Sequence, residues 1–355
     1  MSTSKGYQEQ GGVDTQAADK WVELLQSSGV AAGEKQQALK ARLKSGIGDY
    51  AAVYAQSDDH WVAACCDGVG TKLLWTLQGM GTSAGLAQDL LAMNVNDLLC
   101  VGARPTLFLD YLAVGSKKLL EKEGLLAGFI KALHSLCSDT GQLLVGGETA
   151  QMPDLYSGDH FDLAGFSIGF LKPSEHMSVE NIQPGQKVWG WKSSGPHSNG
   201  YSWLRKIFAS PNDADFVKQH LMVPTKLYVN EFLGLRSELE ALEKASGVIR
   251  SAYHITGSGL LNLLRAQPKG RNIGFNLSNW KTEDAPHWLV KVKERSQSTW
   301  EDLYCSFNGG YGMMILLDEK VSDRHSTLLK SKGLELLGNV TSEPEVFIPG
   351  LKPLV

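Results

Sequence analysis

The chain has 355 residues, 43% of them hydrophobic and 20% charged, which allows about two domains of ~150 residues and excludes a disordered chain, a collagen or a disulfide scaffold. Lys+Arg 34 against Asp+Glu 38 leave a formal charge of −4, so there is no general attraction for nucleic acid or an anionic membrane surface. The excess lies in glycine, 38 residues or about 11% against roughly 7% on average, which suggests turns and close backbone–ligand approaches. Cys65, Cys66, Cys100, Cys137 and Cys305 are odd in number and sit mostly in apolar runs, as reduced packing residues of a cytoplasmic protein do. No apolar stretch approaches the ~18 residues of a membrane span, and Met1 to Lys5 leads into polar sequence instead of a signal core.

In chain order, residues 1–15 read as a flexible polar leader, and Trp21, Val22, Leu24 and Leu25 give helical spacing over 17–30. A second helix spans 35–44, followed by Gly46-Ile47-Gly48-Asp49 and two strands, 50–56 and 61–66, across a polar turn. A helix over 83–101, a strand over 107–114, an amphipathic helix over 119–138, a strand over 142–145, a turn at 146–149 and a strand over 161–171 complete the first half. The polar stretch 172–186 with Pro173 and Pro184-Gly185 is the domain boundary. Beyond it the pattern gives strands at 187–192, 248–253, 311–317 and 334–340 and helices at 200–209, 225–245, 259–266 and 319–331. Both halves, 1–172 and 173–355, are thus mixed strand and helix: an α+β protein of two domains.

Cys66 runs into Asp67-Gly68-Val69-Gly70-Thr71-Lys72. One carboxylate, two permissive glycines, a hydroxyl and an ammonium are the parts of a Mg²⁺–phosphate site, though without P-loop spacing. The same residues also make a tight strand-to-helix turn with solvated Asp and Lys. Asp89, Met93, Asn96 and Asp97 share one face of a helix that is otherwise apolar, and burying two carboxylates costs several kcal/mol unless a cation or donors meet them. Asp110 stands in an apolar strand, and Glu148 follows Gly146-Gly147 at a strand's carboxyl end, where α/β ligands bind.

Ser193-Ser194-Gly195-Pro196-His197-Ser198-Asn199-Gly200 precedes a helix. It suits an anion or a proton-transfer site, or a capped helix start with Ser198 or Asn199 as N-cap. His254-Ile255-Thr256-Gly257-Ser258-Gly259 repeats that design, while Phe307 to Met313 reads as a hairpin turn. Trp21, Trp61, Trp75, Trp189 and Trp191 read as core or strand packing.

In their order, these segments resemble the phosphoribosylformylglycinamidine cyclo-ligase (aminoimidazole ribonucleotide synthetase) family. The resemblance rests on 66–72, Met93 to Leu98, Gly102-Ala103-Arg104-Pro105, Phe108 to Tyr111 and Gly146 to Pro153. It continues through Tyr156, Asp162 to Phe166, Ser193 to Ser202, Pro224 to Tyr228, His254 to Gly259 and Phe307 to Met313. Departures are Ser258 within the family's three-glycine run, Gly309 at its usual cysteine, and the loop Gly46 to Tyr50.

The resemblance implies an N-terminal ATP-binding domain whose sheet forms a barrel across a homodimer, and a C-terminal substrate-binding domain. It implies that ATP phosphorylates the formyl amide oxygen of formylglycinamidine ribonucleotide and that the amidine nitrogen then displaces phosphate. Asp67, Asp97 and Glu148 would hold Mg²⁺; Lys72 with Gly68, Gly70, Thr71 and Asn96 would contact the nucleotide. His197, with Ser198 and Asn199, would meet the amide or transfer a proton, and Thr256, Gly257 and Gly259 would cradle a substrate phosphate. The nearest rivals are other ATP-using members of the same superfamily. A noncatalytic nucleotide-binding subunit is the rival of another class, and the intact Asp67, Lys72, Asp97 and His197 argue against it.

Overall fold

A computed structural model describes residues 15–28, 34–121, 125–265 and 267–355; the expected leader falls almost wholly outside them. Two helices, α1 (Thr15–Ser28) and α2 (Glu34–Lys40), precede β1 (Leu43–Ser45), so the helix expected to 44 ends early and continues as a strand. Trp21 on α1 is 62% exposed, not a packing residue. The first sheet then takes β2 (Ala52–Ala55), β3 (Trp61–Gly68), β4 (Arg104–Val114), β5 (Leu143–Gln151) and β6 (Phe161–Leu171), in the order β1-β2-β3-β6-β4-β5. The parallel β4–β5 pair is joined through α5 (Leu125–Asp139), the kind of crossover that parallel strands require.

The expected turn at 146–149 is absent, because β5 runs straight through it. Phe108 pairs with Leu144 and Leu109 with Gly146, so Val145 is an extra residue at a bulge. The glycines accommodate a bulge within a strand here, a role that looks like a turn in sequence.

β6 alternates buried and open residues along its length, the signature of a sheet with one face on a core. That core is α4 (Ser83–Cys100), which packs against β3, β4 and β6 on one side and the second half of the chain on the other. Burial on both sides explains why its apolar residues cover most of its circumference. The opposite face of the first sheet leaves Phe166, Phe170, Val145 and Leu143 open, Leu143 by 64%.

The second sheet has the order β12-β9-β11-β7-β10-β8. Its strands are β7 (Lys187–Lys192), β8 (Ile249–His254), β9 (Gly274–Asn276), β10 (Tyr311–Leu317), β11 (Leu334–Thr341) and β12 (Val346–Phe347). Every residue of β10 is buried, since helices and loops cover both faces. The helices are α6 (Tyr201–Ile207), α7 (Val229–Glu243), α8 (His287–Ser296), α9 (Trp300–Tyr304), α10 (Glu319–Arg324) and α11 (Ser326–Ser331). The single helix expected over 319–331 is therefore two, and 259–266 is a 3₁₀ turn, Gly259–Leu264. Phe307 to Met313 is no hairpin: Asn308-Gly309-Gly310 joins α9 to β10. One hydrophobic core runs from Leu90, Leu91 and Phe108 through Phe232 and Leu235 of α7 to Ile315 of β10, tying the halves together. No described helix is long and apolar enough to cross a membrane.

Candidate active site

β3 delivers Asp67 to the seam between the halves, where β2 has already ended; its last register pair is Ala52 with Ala64. The side chain of Asn94 on α4 bonds to both backbone groups of Asp67 at the end of β3. Its Oδ1 accepts the Asp67 N–H at 2.9 Å and its Nδ2 donates to the Asp67 carbonyl at 3.1 Å. Gly165 allows this, since a Cβ there would lie 2.5 Å from Asn94 Nδ2. Asp67 is half-buried close to Asp97, and its desolvation, reinforced by the Asp97 charge, raises its carboxyl to about 7. Asp97 in turn accepts from His254 Nδ1 at 2.8 Å. Two carboxylates crowded in this way are a suitable donor set for a hard cation, which commonly takes one or two carboxylates plus phosphate and water.

Glu148 is not with them. It lies exposed on β5, three strand positions from β3 in the first sheet, or about 14 Å at ~4.8 Å per strand. Among the described residues, no three His, Cys, Asp or Glu side chains gather as a metal site.

Lys72 differs from its expected role. It is fully buried, and its ammonium donates to Asp89 Oδ1 at 2.8 Å, the His197 carbonyl at 3.1 Å and the Val223 carbonyl at 2.9 Å. An ammonium has three donors, so none is left for a nucleotide phosphate. Burial lowers its pKa while Asp89 opposes that shift. Asn96 is committed as well: it donates to the Lys226 carbonyl at 2.9 Å and accepts the Tyr228 N–H at 3.1 Å. Gly68, Gly70 and Thr71 remain at the seam, with Thr71 Oγ1 3.1 Å from Ser202 Oγ.

His197 lies completely buried at φ 61°, in the left-handed region. Its Nε2 accepts the Ser194 N–H at 3.4 Å, which places the ring proton on Nδ1. Among the described residues that Nδ1 has no hydrogen-bond partner, nor has the buried Nδ2 of Asn199. Burial, followed by the neighbouring His254 and Lys72, holds the His197 imidazole well below its ordinary pKa, so the ring is neutral. Gly312 of β10 supplies its room: a Cβ there would lie 2.2 Å from both His197 Cε1 and Tyr228 Oη. The loop is further pinned by Asn308, whose Nδ2 donates to the Gly195 carbonyl at 2.8 Å and whose Oδ1 accepts from Ser193 Oγ at 3.1 Å. Neither Ser198 nor Asn199 caps α6; Gly200 is the N-cap and makes no side-chain bond.

The loop Thr256 to Gly259 borders the same seam: a Cβ on Gly257 would lie 3.5 Å from Asn199 Oδ1. Asn262 Nδ2 donates to the Gly257 and Gly259 carbonyls at 2.6 and 2.9 Å and so fixes its shape. The structure thus brings together Asp67, Asp97, His197, Asn199 and Gly257, with His254, Asn94, Thr225 and Asn308 as supporting residues not singled out from the sequence. His254 opens a segment that was read for its glycines, and Thr225 follows Pro224 in another quoted run, so both lay within legible motifs. A cavity of about 670 Å³ lies elsewhere, between α3 (Lys72–Leu77), the loop Ser157 to His160 and Arg205.

AIR synthase related protein, N-terminal domain, matches residues 48–171, and AIR synthase related protein, C-terminal domain, matches residues 183–349. The chain is 33% identical over 347 residues to phosphoribosylformylglycinamidine cyclo-ligase of Aromatoleum aromaticum, covering 94% of each. Its fold is similar to thiamine-monophosphate kinase of Stenotrophomonas maltophilia K279a, with a TM-score of 0.56 at 19% identity over 90% of this chain and 97% of that one. T. maritima PurL complexed with FGAR gives 0.58 at 17% identity, over 90% of this chain and 49% of that one. With matches to both halves and a relative alike along nearly its whole length, the chain belongs to the AIR synthase family.

Proposed function

We propose that the seam around Asp67, Asp97, His197 and Asn199 is where this protein closes the imidazole ring of 5-aminoimidazole ribonucleotide. The reaction is the ATP-dependent ring closure of formylglycinamidine ribonucleotide in purine biosynthesis, releasing ADP and phosphate. An amide oxygen is a poor leaving group until phosphorylated, and phosphoryl transfer asks chiefly for positioning and charge neutralisation. The observation that carries the site assignment is the pair of buried, unpartnered polar groups, His197 Nδ1 and Asn199 Nδ2, beside the crowded Asp67–Asp97 carboxylates. Buried donors are rarely left without a partner, whether protein, water or ligand.

A neutral imidazole with its proton on Nδ1 donates, so His197 orients the formyl amide by hydrogen bonding instead of taking a proton from it. Asn199 Nδ2 offers a second donor. Asp67 and Asp97 would hold Mg²⁺, which when bound neutralises charge on the phosphate oxygens. Gly68, Gly70 and Thr71 belong to the nucleotide side, and Ser198, Thr256, Gly257 and Gly259 to the substrate side. Residues 1–172 form the nucleotide and dimerisation domain, and 173–355 the substrate domain. The open apolar face of the first sheet, with Leu143, Val145, Phe166 and Phe170, is covered by a second copy in a homodimer, since patches of this kind mark interfaces. Glu148 lies on the edge strand of that sheet, apart from the cation.

The test is purified protein with formylglycinamidine ribonucleotide, ATP and Mg²⁺, following ADP and the aminoimidazole product together. Equal yields of the two are expected. ADP without the imidazole would mean a different acceptor and would defeat the reading.

A further inference from the structure

We propose that the buried Lys72–Asp89 pair is a positioning clasp that fixes His197 from the opposite half of the chain, and that Lys72 is not a nucleotide ligand. The clasp rests on the reaction assigned above and adds Asp89 to its machinery.

Asp89 Oδ1 gathers four donors: Lys72 Nζ at 2.8 Å, the Thr225 N–H and Thr225 Oγ1 at 2.7 Å each, and Ser198 Oγ at 3.3 Å. Lys72 and Asp89 come from the first half, Ser198 and Thr225 from the second. Lys72 passes the constraint on, because its ammonium also holds the carbonyls of His197 and Val223. His197 needs this restraint. A residue with a Cβ at φ 61° is strained, and it persists only where its surroundings over-determine it. With its carbonyl fixed by Lys72 and its ring seated against Gly312, the direction of Nδ1 is set from both ends. A buried ion pair is weak evidence for stability, since apolar replacements often serve as well; the bonds here account for the pair by geometry.

The experiment uses the full chain with Lys72→Met, Asp89→Asn and the paired variant. It measures melting, turnover, affinity for a non-hydrolysable Mg·ATP analogue by calorimetry, and the His197 imidazole ¹⁵N resonances. Each single variant should lose about 10²-fold in kcat, as small displacements of a reacting group do. Analogue affinity should change by no more than about threefold, because no nucleotide contact is removed. The paired variant should regain melting near the wild-type temperature, both charges being gone, yet keep the kcat loss, and the His197 resonances should move in all three.

Recovery of kcat together with melting in the paired variant would make the pair purely structural and overturn the clasp. An analogue Kd raised about 30-fold by Lys72→Met and unchanged by Asp89→Asn would also overturn it, by showing a phosphate contact. If the wild type makes no aminoimidazole product, the assigned reaction fails by itself; unmoved His197 resonances in the variants would separately overturn the clasp.

Discussion

His254 Nδ1 and Asp97 Oδ1 meet at 2.8 Å, joining the last residue of a strand in the second half to a helix of the first. The bond leaves Asp97 beside Asp67 on the first-half side of the seam, so a cation there would meet both carboxylates. Asp67→Asn and Asp97→Asn should each raise the Mg²⁺ concentration needed for half-maximal turnover by about tenfold or more, in line with the loss of one carboxylate ligand. Magnesium titrations of ATP turnover check this, and an unchanged Mg²⁺ dependence would remove the carboxylates from the cation site.

Asp67 also gives a pH dependence with a definite sign. Its folded carboxyl is raised to about 7 from an ordinary value of 3.8. Between those values the folded state holds a proton that the unfolded state has lost, so stability declines as pH rises from about 4 to 7. Chelator-treated protein should therefore gain melting temperature on going from pH 7.5 to 5.5 by this contribution, and Asp67→Asn should flatten the slope. Added Mg²⁺ should bind more tightly as pH rises through 7, because it competes with the proton.

His197 has the opposite sign. Its folded imidazole is held well below the ordinary 6.5 by burial, so beneath pH 6.5 the unfolded chain binds a proton that the folded chain refuses, and stability is lost as pH falls through that range. Above that range the ring stays neutral, and kcat between pH 7 and 9 should carry no titration from it. His197→Ala should lower kcat by about 10² to 10³, the cost of losing one preorganised donor. A variant retaining wild-type turnover would show that Nδ1 meets no reacting group.

Gly312→Ala should act on His197 without touching substrate. The added methyl would sit 2.2 Å from the ring and from Tyr228 Oη, and overpacking of this kind typically costs about 1–3 kcal/mol. A larger drop in kcat than in stability is expected, measured by melting and turnover side by side. Equal and small effects would mean that the ring has freedom to move.

Phe166→Glu together with Phe170→Glu should turn the protein monomeric, because two desolvated carboxylates would be placed on the apolar face. Light scattering after gel filtration reads the mass directly. A wild-type protein that is already monomeric would leave that face without the proposed partner.

Strands with a strong pattern were legible to the residue: the alternation of Phe161–Leu171 and the continuous apolar run of Tyr311–Leu317 allow one reading each. Gly274–Asn276 is too short to show a period, and α8 and α9 are brief helices with much polar surface. In the site, Asp67, Asp97 and His197 were legible from their chemistry. The partner of Lys72 lies 17 residues away on another helix, a pairing that local spacing does not display. The turn expected before Glu148 is a strand, its two glycines sitting at a bulge that looks like a turn in sequence.

The amide of Asn94 grips the end of β3 at two points, with its acceptor on the Asp67 N–H and its donor on the Asp67 carbonyl. That double use constrains what evolution can place there. Aspartate is the same size but offers no donor when ionised, and would set a third negative charge beside Asp67 and Asp97; leucine would forfeit both bonds. Position 94 should consequently be as invariant among active relatives as the carboxylate it supports, and chains that have drifted from catalysis should lose the amide and the carboxylate together.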